Sequence, residues 1–230
     1  MENPWLNLSE HSPFILFSDI EKIQLYNSKQ KYDKHRIILD ELPSPYIGNP
    51  NAPIIFLNLN PAYSPEESQS SNYSRYQDIA RMNLLHKFND YPFYVLDPSL
   101  RGSPSGFDWF KQRFNPLIES SGLSDKEISN KLFLVEYFPY RSQKYNWKNG
   151  LLPSQYYSIS LIKSAINRNA IIVIMRGKNL WFNAIPELKN YKNLYILHSC
   201  QYVTISENNI GYEGFEKITN RIISERKLDL

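Results

Sequence analysis

Residues 54–61 read IIFLNLNP. A short apolar run bounded by turn formers has the signature of a strand buried on both faces. Pro61 lacks the N–H needed to continue a ladder, so the run ends there. Three more runs of this kind follow: LFLVEYF at 132–138, AIIVIM at 170–175 and NLYIL at 193–197. The first stops at Pro139, the second gives way to Arg176-Gly177, and the third runs into His198-Ser199.

Helical patterns lie between these runs. RYQDIARMNLLHKF (75–88) predicts a helix with Ile79, Met82, Leu85 and Phe88 on one face. Asp108 is placed to cap a helix through WFKQRFNPLIES that Gly122 ends, and Ser124 with Glu127 gives a capping-box spacing. A helix over 154–168 turns Leu161, Ile162, Ala165 and Ile166 inward; a short helix carries Trp181, and a last one covers roughly 213–227. Upstream, Ser18 and Glu21 repeat the capping-box spacing before IEKIQLYNS. SPYIGNPNAP (44–53) is too dense in turn formers to predict a regular element, and YPFYVLD (91–97) reads as a short strand or an extended loop.

Buried strands alternating with helices predict an α/β fold, a three-layer α/β/α sandwich around a four-stranded parallel sheet. The chain reads as one domain, 1–230, with an N-terminal helical extension over about 1–45.

Composition narrows the class. The chain has 230 residues, with 26 Lys+Arg against 23 Asp+Glu, a balance that permits a nucleic-acid partner without requiring one. The single cysteine, Cys200, excludes an intramolecular disulfide and a four-cysteine metal site. No apolar run approaches the ~20 residues that span a bilayer. MENPWLNLSEHSPF lacks the basic and apolar regions of a secretory signal. The expectation is a cytoplasmic monomer without cofactor, metal or membrane partner. Tyrosine, at 17 residues, dominates the aromatics; tyrosines pack cores and also stack on bases.

In parallel sheets, ligands bind beyond the carboxyl ends of the strands. The residues there are Asn60, Glu136, Arg176 and His198. Glu136 stands out, because a carboxylate inside FLVEYF needs a partner, a shifted pKa or a ligand. Salt bridges to Arg176 or Arg141 would be the structural solution.

PYIGNPNAPIIFLNLNPAYS (45–64) resembles the first motif of the uracil-DNA glycosylase superfamily, nearest the GINPG form of its mismatch-specific members. LHSCQYVTIS (197–206) resembles the second motif, and FLVEYFPY (133–140) sits where the family has its base-reading strand. The resemblance covers roughly residues 45–215. It implies that Asn60 positions water and His198 stabilises the departing base. It implies a wedge loop of Ser199, Cys200, Gln201 and Tyr202, with Gln201 or Tyr202 filling the gap left by the flipped nucleotide and Ser199 on a phosphate. Phe93 and Tyr94 are candidates to stack on the base. Arg141, Lys144 and Lys148, interleaved with Tyr140, Tyr145 and Trp147, and Arg176 are candidates to contact DNA.

Two departures from the uracil pattern set the expected substrate. Ala62 stands where uracil-specific relatives carry a tyrosine that excludes a C5 methyl group; Tyr63 is the neighbour that would otherwise close the gap. Glu136 replaces the base-reading asparagine. An ionised carboxylate only accepts hydrogen bonds, and so suits the N4 amino group of cytosine rather than O4 of uracil. A protonated Glu136 would donate to cytosine N3 and assist departure. The expected activity is a monofunctional DNA glycosylase acting on a cytosine-like base enlarged at C5, with a role in restricting phage DNA. The alternatives are a uracil or mismatch repair enzyme and a silent nucleic-acid-binding member of the fold.

Overall fold

The structure, a computed structural model, describes residues 1–63, 65 and 69–224. The N-terminal extension contains helix α1 (Ile20–Ser28) and short 3-10 turns, and it is part of the main core. Trp5 and Ile23 are buried in the same cluster as the sheet residues, and Trp5 meets Tyr140 edge to face. The Ser18–Glu21 capping box does not form. Asp19 precedes α1, and its buried carboxylate accepts from the Tyr140 hydroxyl and the Ser154 amide instead, tying the extension to the segment after the third strand.

Among the described residues the sheet has five strands rather than four. The additional one, β1 (Tyr46–Gly48), lies within the stretch predicted to be irregular and pairs antiparallel with β3 (Leu132–Glu136). Two apolar residues suffice for this edge because Gly48 ends it at φ 103°, where a side chain would also strike the Leu132 carbonyl. The other strands are parallel: β2 (Ile54–Asn58), β3 (Leu132–Glu136), β4 (Ile171–Ile174) and β5 (Leu194–Ile196), in the order β1-β3-β2-β4-β5. Every residue of β2, β3 and β4 is buried, so helices must cover both faces.

Those helices are α2 (Tyr73–Leu84), α3 (Trp109–Ser121), α4 (Asp125–Ser129), α5 (Gln155–Asn167), α6 (Lys178–Ala184), α7 (Glu207–Ile210) and α8 (Tyr212–Ser224). Gly122 ends α3 in the left-handed region, and the Ser124–Glu127 capping box opens α4. Asp108 precedes α3 without a side-chain cap bond. On α2 the buried face is Tyr76, Ile79, Ala80, Asn83 and Leu84; Met82 is exposed, because the helix ends at Leu84 and its stripe is rotated from the predicted one. On α5, Ile162 and Ala165 are buried, whereas Leu161 and Ile166 are only partly so. Residues 91–97 form a 3-10 turn (Tyr94–Leu96) rather than a strand. Residues 225–227 of the expected last helix lie outside the described residues. Among the described residues no helix is long and apolar enough to cross a membrane.

Chain order makes the site. From β2 the chain goes to β3 on one side, then crosses to β4 on the other. Crossovers leaving in opposite directions open a crevice above the carboxyl ends, the place where α/β sheets bind ligands.

Candidate functional site

A cavity of about 120 Å³ occupies that crevice, several times the room one water needs. Asn58, Asn60, Glu136 and Arg176, each from a strand end or the residues just beyond it, line it. Apolar and aromatic surface comes from Ile47, Pro61, Val95, Tyr76, Trp109 and Phe110. Such a mixture, a largely apolar wall with a few convergent polar groups, is typical of a small-molecule site.

The buried end of the cavity is polar. Asn58 and Glu136 are register partners on β2 and β3, so their side chains leave the sheet on the same face. Asn58 Nδ2 donates to Glu136 Oε1 at 3.0 Å. Asn58 is 5% exposed and Glu136 4%. Their remaining oxygens, Asn58 Oδ1 and Glu136 Oε2, are buried and have no hydrogen-bond partner among the described residues. Leaving two such atoms unmatched is costly in a folded protein unless a ligand meets them.

Burial pushes the Glu136 carboxyl from an ordinary 4.5 up to about 8, against the opposing pull of the Asn58 amide and of the Arg176 and Arg141 charges. Glu136 is therefore a neutral acid near pH 7, with one O–H to donate. Among the described residues no salt bridge to Glu136 is formed; the charges of Arg176 and Arg141 act on it through space.

Asn60 follows β2 and lines the cavity. Its Nδ2 donates to Ser142 Oγ and to the Pro61 carbonyl, both at 3.1 Å. The amide is thereby fixed, with its oxygen left to accept from water. Ala62 is exposed on the rim, and its carbonyl accepts from Arg141 Nη1 at 2.9 Å. Tyr63 is half-buried and does not line the cavity, so it does not close the side that Ala62 leaves open.

Arg141 is not on an outer DNA-facing surface. It is 6% exposed, donates also to the Leu42 carbonyl and the Tyr76 hydroxyl, and holds the Asn60–Ala62 turn against α2. The residues from Tyr140 to Lys148 divide the same way: Tyr140 and Trp147 are core, Tyr145 is half-buried, and Lys144 and Lys148 are exposed away from the cavity lining. Phe93 and Tyr94 are core as well, at 0% and 2% exposed. Phe93 packs on Phe110 and Phe114, and Tyr94 on Tyr76. The aromatic walls are instead Tyr76, half-buried Trp109 and Phe110, whose spacing in the sequence gives no sign of convergence.

His198 is the main departure from expectation. It is exposed and is not among the lining residues; its Nδ1 faces the Asn208 carbonyl at 3.2 Å. The loop behind it is organised by Asn209, which the sequence reading overlooked. Asn209 Nδ2 donates to the carbonyls of Tyr202 and Thr204, and its Oδ1 accepts from the Ser199 amide. Ser199 Oγ accepts from the Tyr202 amide, so this hydroxyl shapes the turn. Gln201 and Tyr202 are exposed, Tyr202 at 67%. Arg176 joins loop and cavity by donating from Nε to the Cys200 carbonyl at 3.0 Å.

Asn58 was also legible in principle: like Glu136 it is a polar residue inside a buried apolar run. Comparison of the chain with protein-family models, with curated proteins and with solved structures finds no match.

Proposed function

We propose that the cavity receives an everted nucleobase and that the chain is a monofunctional DNA glycosylase, of the uracil-DNA glycosylase kind, acting on a cytosine-like base. The observation that carries the reading is a buried neutral acid, Glu136, at the floor of a small, aromatic-walled cavity whose rim holds the fixed amide of Asn60. Support also comes from the four parallel strands of the sheet, the arrangement the sequence resemblance implies.

Cytosine is a poor leaving group, and a positioned acid answers that difficulty. Glu136 gives its proton to N3 while the C1′–N1 bond breaks and the base keeps the electron pair. The base departs neutral. Water held by Asn60 adds to C1′ and loses its proton to solvent, and Glu136 is reprotonated. Arg176 and Arg141 give the cavity a positive potential that favours the carboxylate left on Glu136 once its proton has gone to the base. The open rim at Ala62 leaves room for a substituent at C5.

The test is base release, followed by mass spectrometry, from oligonucleotides carrying cytosine, C5-substituted cytosines or uracil. Release of a cytosine-type base supports the reading, and release of uracil alone refutes it. The position of His198 favours a second reading, a protein that binds an everted base without cleaving it. Binding of such DNA with no abasic product from any base would select it.

A further inference from the structure

The Glu136 acid has one hydrogen to give, and a single contact cannot distinguish one pyrimidine edge from another. Beside it lies a second unmatched atom, Asn58 Oδ1, buried and held in place because Nδ2 of the same amide is committed to Glu136 Oε1. The strand register fixes the two groups next to each other on one face of the sheet. Together they present a donor and, beside it, an acceptor.

We infer that Asn58 is a base-reading residue that works as a pair with Glu136: its Oδ1 accepts from an exocyclic amino group while the Glu136 acid donates to the neighbouring ring nitrogen. That complement is the N3–N4 edge of a cytosine-type base. The inference rests on the proposal that the cavity takes a nucleobase, and it adds which edge enters first and which residue checks it.

A 4-oxo base can satisfy the same two atoms without turning over only by sliding one position, so that O2 meets Glu136 and N3–H meets Asn58. The ring nitrogen then no longer faces the acid, and protonation of N3 is lost. Asn58 thus separates amino from oxo bases by register rather than by exclusion. Turning its amide would set Nδ2 toward the ligand and remove the acceptor an amino group needs, besides losing the donation to Glu136. The charged groups facing Glu136 are Arg176, from beyond β4, and Arg141, from the segment after β3; Tyr76 of α2 lines the same cavity.

A matched pair of probes isolates this edge, since 5-methylcytosine and thymine differ only there: an amino group at C4 beside a bare N3, against an oxo group beside N3–H. Binding of the two free bases to the full chain is measured by NMR titration, and their release from otherwise identical oligonucleotides by mass spectrometry. The wild-type protein should prefer 5-methylcytosine. Asn58→Ala should lower that preference roughly 10- to 100-fold, the worth of one lost base-edge contact. Asn58→Asp keeps the shape and serves if the alanine variant does not fold. Two adjacent carboxyls then share a proton, so binding of 5-methylcytosine should persist to higher pH than in wild type.

An unchanged preference in a folded Asn58→Ala protein overturns the inference and leaves the glycosylase reading standing. Binding with the expected preference but no release sustains the inference and overturns the glycosylase reading. Failure of the wild-type protein to bind or release either base overturns both.

Discussion

Glu136→Gln tests the protonation state on which the chemistry depends, and it does so through stability alone. In the folded chain the carboxyl holds its proton up to about pH 8, whereas an unfolded carboxyl loses it near 4.5. Between those values the folded state binds the proton that the unfolded state has released. Stability therefore falls as pH rises through this window and levels off above it. Each pH unit costs about 1.4 kcal/mol, so the penalty at pH 7 is on the order of 3 kcal/mol. Glutamine is neutral at every pH, keeps an oxygen for Asn58 Nδ2, and carries no such penalty. In urea unfolding the variant should match wild type near pH 4.5 and exceed it by on the order of 4 kcal/mol near pH 7.5. A stability difference that does not change with pH would refute the reasoning, because Glu136 would then be ionised in the folded protein.

Other outcomes follow from the same geometry. Asn60→Ala should lower base release by about 100-fold or more while DNA binding, followed by fluorescence anisotropy, changes little, since the amide orients water rather than holding the duplex. His198→Ala should cost less than about tenfold in kcat, because the ring lies outside the cavity lining; a loss of a thousandfold would place it at the reacting atoms after all. His86 stacks on Tyr46, and burial pulls its pKa from 6.5 down to about 4. The unfolded chain takes up this proton first as pH falls, so stability should drop between pH 6.5 and 4, and His86→Phe should flatten that part of the thermal-melt profile. Asn209→Ala should speed amide exchange across 199–205 without slowing it elsewhere, because that one side chain bonds three loop segments.

Within the chain, local chemistry and assembled geometry divide cleanly. The runs at 54–59, 132–138, 170–175 and 193–197 declare themselves as buried strands because a parallel sheet covered on both faces demands continuous apolar sequence. Gly122 and the Ser124–Glu127 box mark helix ends because capping is settled within a few residues. The same logic isolates Glu136, since a carboxyl within such a run needs an explanation wherever the run ends up.

Convergence is different, because it depends on strand order and register. Only the pairing of β2 with β3 sets Asn58 against Glu136, turning two polar oddities 78 residues apart into one hydrogen-bonded unit with two atoms to spare. Only packing against α2 converts Arg141 from a candidate DNA contact into a buried brace for the Asn60 turn. Packing likewise draws Phe93 and Tyr94 into the core and leaves Tyr76, Trp109 and Phe110 as the walls. The position of His198 depends on a loop held by Asn209, ten residues beyond the Ser199 amide it accepts from. Hydrophobic patterning is a property of neighbours in sequence, so a strand or a cap can be read along the chain. A cavity is a property of neighbours in space, and nothing along the chain encodes which side chains the crossovers bring face to face.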